Sequence, residues 1–470
     1  MMGESTMQHK NQKAAVYLAI AVILVAGALF FPLPQGLSRE GFCSIALLLG
    51  AIILWVTNVL PIAITTILFT TVMPFLGIMP LEQVFIRFTN STFFFMVATF
   101  CLTMAISSST IPKRVSVYLM HISGRSPVKI LFSFAFGTAA FSSIMSNVPS
   151  CAIFCALILS LIKESKDFRE NTALVKSLLI AVTYAAVIGG FATPAGTSGN
   201  ILAMNLFREM AGREVSFLQW TCVGVPVVVV ALTLCCLWLL IVFKPKAVSQ
   251  ETMEAVLKQQ ATQVPMNGRE KKIIIITCTM FVLWILGTWV SVLNTTAVAL
   301  LGMCLFFCPG INVLSWSEFS REAPWDMIFL ISGSGALAYG LSATGADLWL
   351  VQAVLPDASK ISSVVMLLTC AAITAILHIL IPSGPGTIAI ALPTFLQLTQ
   401  AFGLNDFSVM MICTLWSCVV LVMPVDAVAL VTYSTGQYNL RDLLKAGIPT
   451  YLILIPVSVW LIQMLCKLVF

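Results

Sequence analysis

The chain has 470 residues, with 25 Lys and Arg against 19 Asp and Glu, so only 9% of it is charged while 59% is hydrophobic and the mean hydropathy is +1.01. A soluble domain carries roughly 25% charged residues, and the surface of a globule this size cannot be built from so few; disordered and fibrous classes are excluded because they need low hydrophobicity or a short repeat. What remains is an all-α polytopic membrane protein, with room for about ten to twelve spans at roughly 20 residues each plus connections.

Residues 1–13 are polar, and the apolar run after them has no small-residue cleavage site, so it reads as a retained first span near 14–32. Further apolar runs predict spans near 43–61, 62–79, 91–110, 177–203, 217–243, 272–291, 293–308, 325–343, 406–436 and 447–469, eleven in all. Two more apolar stretches, 130–162 and 361–403, do not fit as single spans. Each is interrupted near its middle by a polar, proline-containing tip: Ser146-Asn147-Val148-Pro149-Ser150 in the first, Pro382-Ser383-Gly384-Pro385-Gly386-Thr387 in the second. Such an interruption reads as a re-entrant hairpin, whose exposed backbone survives at membrane depth only against protein or a wet cavity. Two ordinary spans joined by a tight loop are the plainer alternative. The 14 cysteines mostly sit inside apolar runs, with no CxxC pair, and behave as small hydrophobes.

Loop charges orient this map. With the N-terminus cytoplasmic, the C-terminus outside and both stretches as hairpins, 19 of the 25 Lys and Arg fall on the cytoplasmic side. The positive-inside rule is then satisfied throughout, and the net charge of +6 reports topology, with no sign of a nucleic-acid partner. The same map divides the chain into a tail and first span (1–40), a first half (41–243), a cytoplasmic linker (244–271) and a second half (272–470). Thr65-Thr66 resembles Thr295-Thr296, and each tip is followed by a span broken by proline and small residues. One hairpin enters from each side, so the halves form inverted repeats. Paired broken helices in inverted repeats point to a transporter's midplane site.

Half-helix N-termini offer free N–H groups and partial positive charge to anions, while carbonyl, hydroxyl and amide oxygens suit a hard cation such as sodium. In the first half Ser146, Asn147, Ser150, Gly196, Thr197 and Asn200 supply both kinds of group, although the same residues are those of any turn. The second half lacks the Asn at its tip and carries Asp426 in its broken helix. A carboxylate at membrane depth is a site candidate by default. It caps the half-helix that starts near Ala427, binds a cation or proton there with Thr387 and His378 nearby, or sits nearer the interface than the span map places it. His378, the only histidine inside an apolar span, suits a proton relay, but an imidazole bonded to a backbone carbonyl is the plainer reading. Arg87 and Arg208 read as snorkelling side chains, Thr57-Asn58 as a cap, and Asp326 as part of an interfacial cluster with Glu318, Arg321 and Glu322. Walker and HExxH motifs are absent, so nothing in the chain points to an enzyme.

The tip Ser146-Asn147-Val148 resembles the Ser-Asn-Thr signature of the divalent anion:sodium symporter family, the di- and tricarboxylate carriers of the ion transporter superfamily. The run from Gly189 to Asn200 resembles that family's broken helix, and the segment 55–61 its Trp-x-Thr-x-x-x-Pro element. The resemblance implies a homodimer in the cell membrane that carries small organic anions, di- or tricarboxylates foremost, coupled to sodium by an elevator movement. It implies a sodium among Ser146, Asn147, Ser150, Gly196 and Asn200, and a substrate carboxylate at Asn147, Val148, Thr197, Ser383, Gly384 and Pro385. Val148 and Gly384-Pro385 depart from the family pattern, as does Asp426. Proton coupling or exchange, another anion such as sulfate, and a channel or sensor are the competing readings.

Overall fold

The computed structural model describes residues 2–57, 59–251, 266–290, 292–346, 349, 362–381, 383–424 and 426–469, and every regular element among them is a helix. In chain order these are α1 (Met2–Phe30), α2 (Arg39–Thr57), α3 (Ile62–Val72), α4 (Leu81–Phe88), α5 (Ser91–Ser107), α6 (Ile111–Ser123), α7 (Pro127–Ser142), α8 (Asn147–Glu164), α9 (Lys166–Glu170), α10 (Thr172–Gly189), α11 (Ser198–Ala211) and α12 (Phe217–Phe243). After the linker come α13 (Gly268–Leu286), α14 (Thr295–Phe307), α15 (Trp316–Glu322), α16 (Trp325–Ala343), α17 (Ser363–Leu380), α18 (Gly384–Phe402), α19 (Asp406–Cys418), α20 (Ala427–Tyr433) and α21 (Leu440–Val469). Residues 252–265 of the linker, Asn58, Pro382 and Val425 lie outside the described residues.

Among the described residues, six helical segments are long and apolar enough to cross a membrane: Leu81–Ser107, Thr172–Ala192, Phe217–Phe243, Trp325–Ala343, Ser363–Leu380 and Leu440–Val469. Several of the eleven expected spans are shorter as helices, and the two near 177–203 and 406–436 each contain a break. The first break follows Gly189-Gly190 and a single 3-10 turn; Pro194, which has no N–H to continue the ladder, lies in it. At the second, the apolar run Val419-Val420-Leu421-Val422 leaves the helix ahead of Pro424, and Val419 is extended. Both expected hairpins are helix–turn–helix pairs whose arms, α7 with α8 and α17 with α18, pack on one another.

Packing partners recur in exchanged order. α8 lies against α20 and α18 against α11, α3 against α16 and α14 against α5, while α12 covers α10 and α21 covers α19. α10 is apolar all round and buried for nearly its whole length, as suits a helix at the centre of a bundle. A second apolar core, separate from the main one, joins α1, α2, α3 and α4 to one face of α16 through residues such as Leu47, Leu54, Phe69 and Leu330. Asp326 at the start of α16 is no mere interfacial charge: its Oδ1 accepts the N–H of Ala63 in the first turn of α3 at 3.1 Å. Arg87 and Arg208 do more than snorkel. Arg87 pairs with Glu209 of α11 and lies 3.9 Å over the ring of Tyr339, and Arg208 donates to Ser91 Oγ at 2.7 Å.

At the start of α13 the Glu270 carboxylate is buried. It accepts the hydroxyl and the N–H of Thr110, closes a capping box with Asn267 and faces Arg114 at 3.4 Å. The Thr110 hydrogen bond, opposed by burial and reinforced by the N–H groups and Arg114, holds this carboxyl below the usual Glu range. A group depressed in this way stabilises the fold above its unfolded pKa, and the stabilisation disappears as pH falls through its own lowered value. Glu270→Ala is expected to cost about 1.5–3 kcal/mol at neutral pH, as hydrogen bonds to a buried charge do. Thermal unfolding in detergent should show the gap from the parent protein closing as the pH falls through that acid range.

Candidate functional site

Backbone that leaves a helix among apolar neighbours has to find its hydrogen bonds in side chains. At the first break Asn200 Nδ2 donates to Gly190 O at 2.8 Å and to Thr193 O at 2.7 Å, and Trp220 Nε1 donates to Phe191 O at 2.9 Å. Thr193 donates its hydroxyl to Ser143 O in the turn of the first hairpin. The second break is held by tyrosines. Tyr184 donates to Leu421 O at 2.8 Å, while Tyr451 donates to Val419 O at 2.8 Å and accepts the Leu421 N–H at 3.3 Å. Each break also sits on a glycine of the long helix behind it. A Cβ on Gly224 would lie 2.6 Å from Ala192 O, and one on Gly447 would lie 2.1 Å from Leu421 O.

So placed, the two tips and the two breaks border one cavity of about 740 Å³. Ser146, Asn147 and Val148 reach it from the first tip, Ser383, Gly384 and Pro385 from the second. Thr197 and Ser198 line it from the first break, and Cys418, Asp426 and Ala427 from the second. Apolar side chains also line it, among them Trp55, Ile62, Phe100, Met104, Met327 and Leu330, interspersed with Thr103 and Ser107. No Lys or Arg is among the lining residues; the charged ones are Asp426 and Glu322. A second hollow, an open groove beside Arg269, Cys304 and Trp316, contains neither tip.

The first tip is packed against oxygen-rich backbone. Ser142 donates to Asn147 Oδ1 at 2.8 Å, and a Cβ on Gly190 would fall 2.2 Å from that same oxygen. A Cβ on Gly196 would lie 2.2 Å from Gly190 O and 2.8 Å from Ser142 O. Asn200 is wholly buried, and with both bonds from its Nδ2 pointing into the break its Oδ1 has no partner among the described residues. A buried acceptor left over beside several carbonyls is the donor set a hard monovalent cation needs. Gly196, Asn147 and Asn200 are therefore drawn together as expected. The Ser150 hydroxyl donates to Ser146 O at 3.1 Å, which orients its oxygen and leaves lone pairs that a cation could use.

Of the second group, Asp426 and His378 both line the cavity, whereas Thr387 is buried with its hydroxyl directed to Ile381 O at 3.3 Å. Asp426 is the N-cap of α20 and accepts the N–H of Val428 at 3.4 Å, so the capping reading holds geometrically. For His378 the plainer expectation gives way. It is 1% exposed, and neither ring nitrogen has a carbonyl or any other partner among the described residues. Its depth was not readable from the sequence. Nor were Trp220, Tyr184 and Tyr451, whose roles arise from contacts far along the chain.

Comparison with known proteins follows from this geometry. A model of the sodium:sulfate symporter transmembrane region matches residues 12–470. The chain is 27% identical to the sodium-dependent dicarboxylate transporter SdcS of Staphylococcus aureus over 476 aligned positions, covering 94% of this chain and 90% of that one. Among solved structures it is similar to MtrF of Neisseria gonorrhoeae, described within a class of antimetabolite efflux pumps, at TM-score 0.58 and 12% identity over 97% of this chain and 94% of that one. The YdaH transporter of Alcanivorax borkumensis follows at TM-score 0.53 and 14% identity, over 80% and 86%. At such identities the two structures speak to the fold alone.

The oxygen cluster makes a direct prediction. Sodium chloride is expected to raise the unfolding temperature of the purified protein relative to choline chloride at equal ionic strength. Gly196→Ala, which drives a methyl into Gly190 O, is expected to abolish that difference.

Proposed function

Because the chain belongs to the sodium:sulfate symporter transmembrane family, we propose that it is a sodium-coupled secondary transporter of small organic anions in the cell membrane. The observation that carries this reading is the convergence of two hairpin tips and two broken helices on one cavity, with an unpaired buried acceptor, Asn200 Oδ1, beside the first tip. In this reading sodium occupies the cluster of Asn147, Gly196 and Asn200. The substrate carboxylate sits at the N-terminus of α8, where free N–H groups and the helix dipole favour an anion. The sodium-dependent dicarboxylate transporter among the relatives puts carboxylates ahead of sulfate.

The two halves act as inverted repeats; the exchanged packing of α8 with α20 and α18 with α11 supports this. Alternating access is an elevator movement of the body that holds the tips against the separate core of α1 to α4, within a homodimer. The N-terminus is cytoplasmic and the C-terminus outside. Asp426 and His378 on the cavity wall favour a second reading, in which a proton replaces one of the coupling cations.

Proteoliposomes separate these readings. Uptake of a panel of mono-, di- and tricarboxylates and sulfate is expected to saturate, to show counterflow and to require an inward sodium gradient for at least one carboxylate. If no anion is taken up, the proposed function is wrong. Asp426→Asn is expected to change the pH or cation dependence of that uptake; an unchanged profile removes the proton reading.

A further inference from the structure

We infer that the cavity selects organic anions with a single carboxylate, carrying an apolar flank and a neutral polar group, over dicarboxylates of the same length. The inference rests on the anion-transport reading above and narrows its substrate class.

Four helix N-termini border the cavity, and they are unequally open. On α8, Asn147 and Val148 present N–H groups with no partner among the described residues, followed by Pro149, which has none to offer. The second tip is nearly closed by its own sequence. Pro385 lacks an N–H, Gly386 donates to Ser383 Oγ at 3.2 Å and Thr387 donates to Ser383 O at 2.9 Å, so Gly384 alone is left. α11 spends the N–H of Gly199 on Thr197, and α20 is capped by Asp426, so this end presents a carboxylate where an anion would need a donor. One carboxylate thus has a seat at α8. A second would have the N–H groups of Gly384 and Ser198 with nearby serine hydroxyls, no Lys or Arg among the described lining residues, and two acidic side chains, Asp426 and Glu322, lining the same cavity.

The remaining surface indicates what the rest of the ligand is. Trp55, Ile62, Phe100, Met104, Met327 and Leu330 ask for an apolar flank. His378 is the independent mark of a ligand: a 99%-buried imidazole, 1% exposed, on the cavity wall, with both nitrogens unpartnered. Buried polar atoms are almost always hydrogen-bonded, and an imidazole buried without a partner suits a hydroxyl on the ligand.

The test is binding of matched four-carbon acids to the full-length protein in sodium, read by thermal shift and by competition in proteoliposomes. Butyrate and 2-hydroxybutyrate are set against succinate and malate. The monocarboxylates are expected to bind at least about tenfold more tightly. The hydroxyl should add affinity, and His378→Phe should bring the affinities of 2-hydroxybutyrate and butyrate together. Asp426→Asn should narrow the gap by restoring succinate. Tighter binding of succinate or malate by the parent protein overturns this inference and leaves the anion-transport reading standing. Binding of no carboxylate with or without sodium overturns both, and because these arms use the parent protein, neither depends on a variant folding.

Discussion

Between Ala192 and Ser198, and again between Cys418 and Ala427, the backbone leaves the helical ladder amid apolar helices. Its N–H and C=O groups there cannot turn to hydrocarbon, so each must be met by protein. The first break is met by Asn200, Trp220 and Thr193, the second by Tyr184 and Tyr451. The long helices α12 and α21 come close enough to seat the breaks only because Gly224 and Gly447 lack side chains. Everything else in the site depends on this arrangement. It fixes the ends of α11 and α20, and through them the faces that α18 and α8 pack upon.

The same constraint produces the chemistry. An amide that spends its Nδ2 on two break carbonyls leaves its Oδ1 over, and that surplus acceptor beside Gly190 O and Gly196 is what a cation would use. At the second break tyrosine hydroxyls meet Val419 O and Leu421 O, and Asp426 closes the following helix with its own side chain. The two breaks therefore differ in how their polar groups are met. The first offers donors and acceptors to ligands; the second consumes most of its own. That asymmetry arises at the level of individual hydrogen bonds.

Much of this was legible in the sequence for a simple reason. Polar, proline-containing tips inside apolar runs have few explanations, and both hairpins and both breaks lie where those runs are interrupted. The helices Phe217–Phe243 and Trp325–Ala343 coincide with the expected spans because charged or turn-rich residues bound them on both sides. Long-range partners were hidden. Tyr184 meets Leu421 across 237 residues, and Arg87 meets Glu209 across 122, so a snorkelling arginine and a paired one look identical in one dimension. The carbonyls that the Thr387 and Ser150 hydroxyls donate to, Ile381 O and Ser146 O, were also hidden, because a hydroxyl's partner is not written in the sequence. The lack of a carbonyl partner for His378 was likewise invisible, because satisfaction of an imidazole is a property of its neighbours.

The central claim is that the two tips face one ligand-filled space. It is tested most directly by labelling a cysteine placed at Ser383 with a membrane-impermeant thiol reagent, in a background whose exposed native cysteines are serine. The account predicts that the cysteine is labelled, and that substrate together with sodium protects it far more than either alone. Labelling that ignores both ligands, in a variant that still transports, would contradict it.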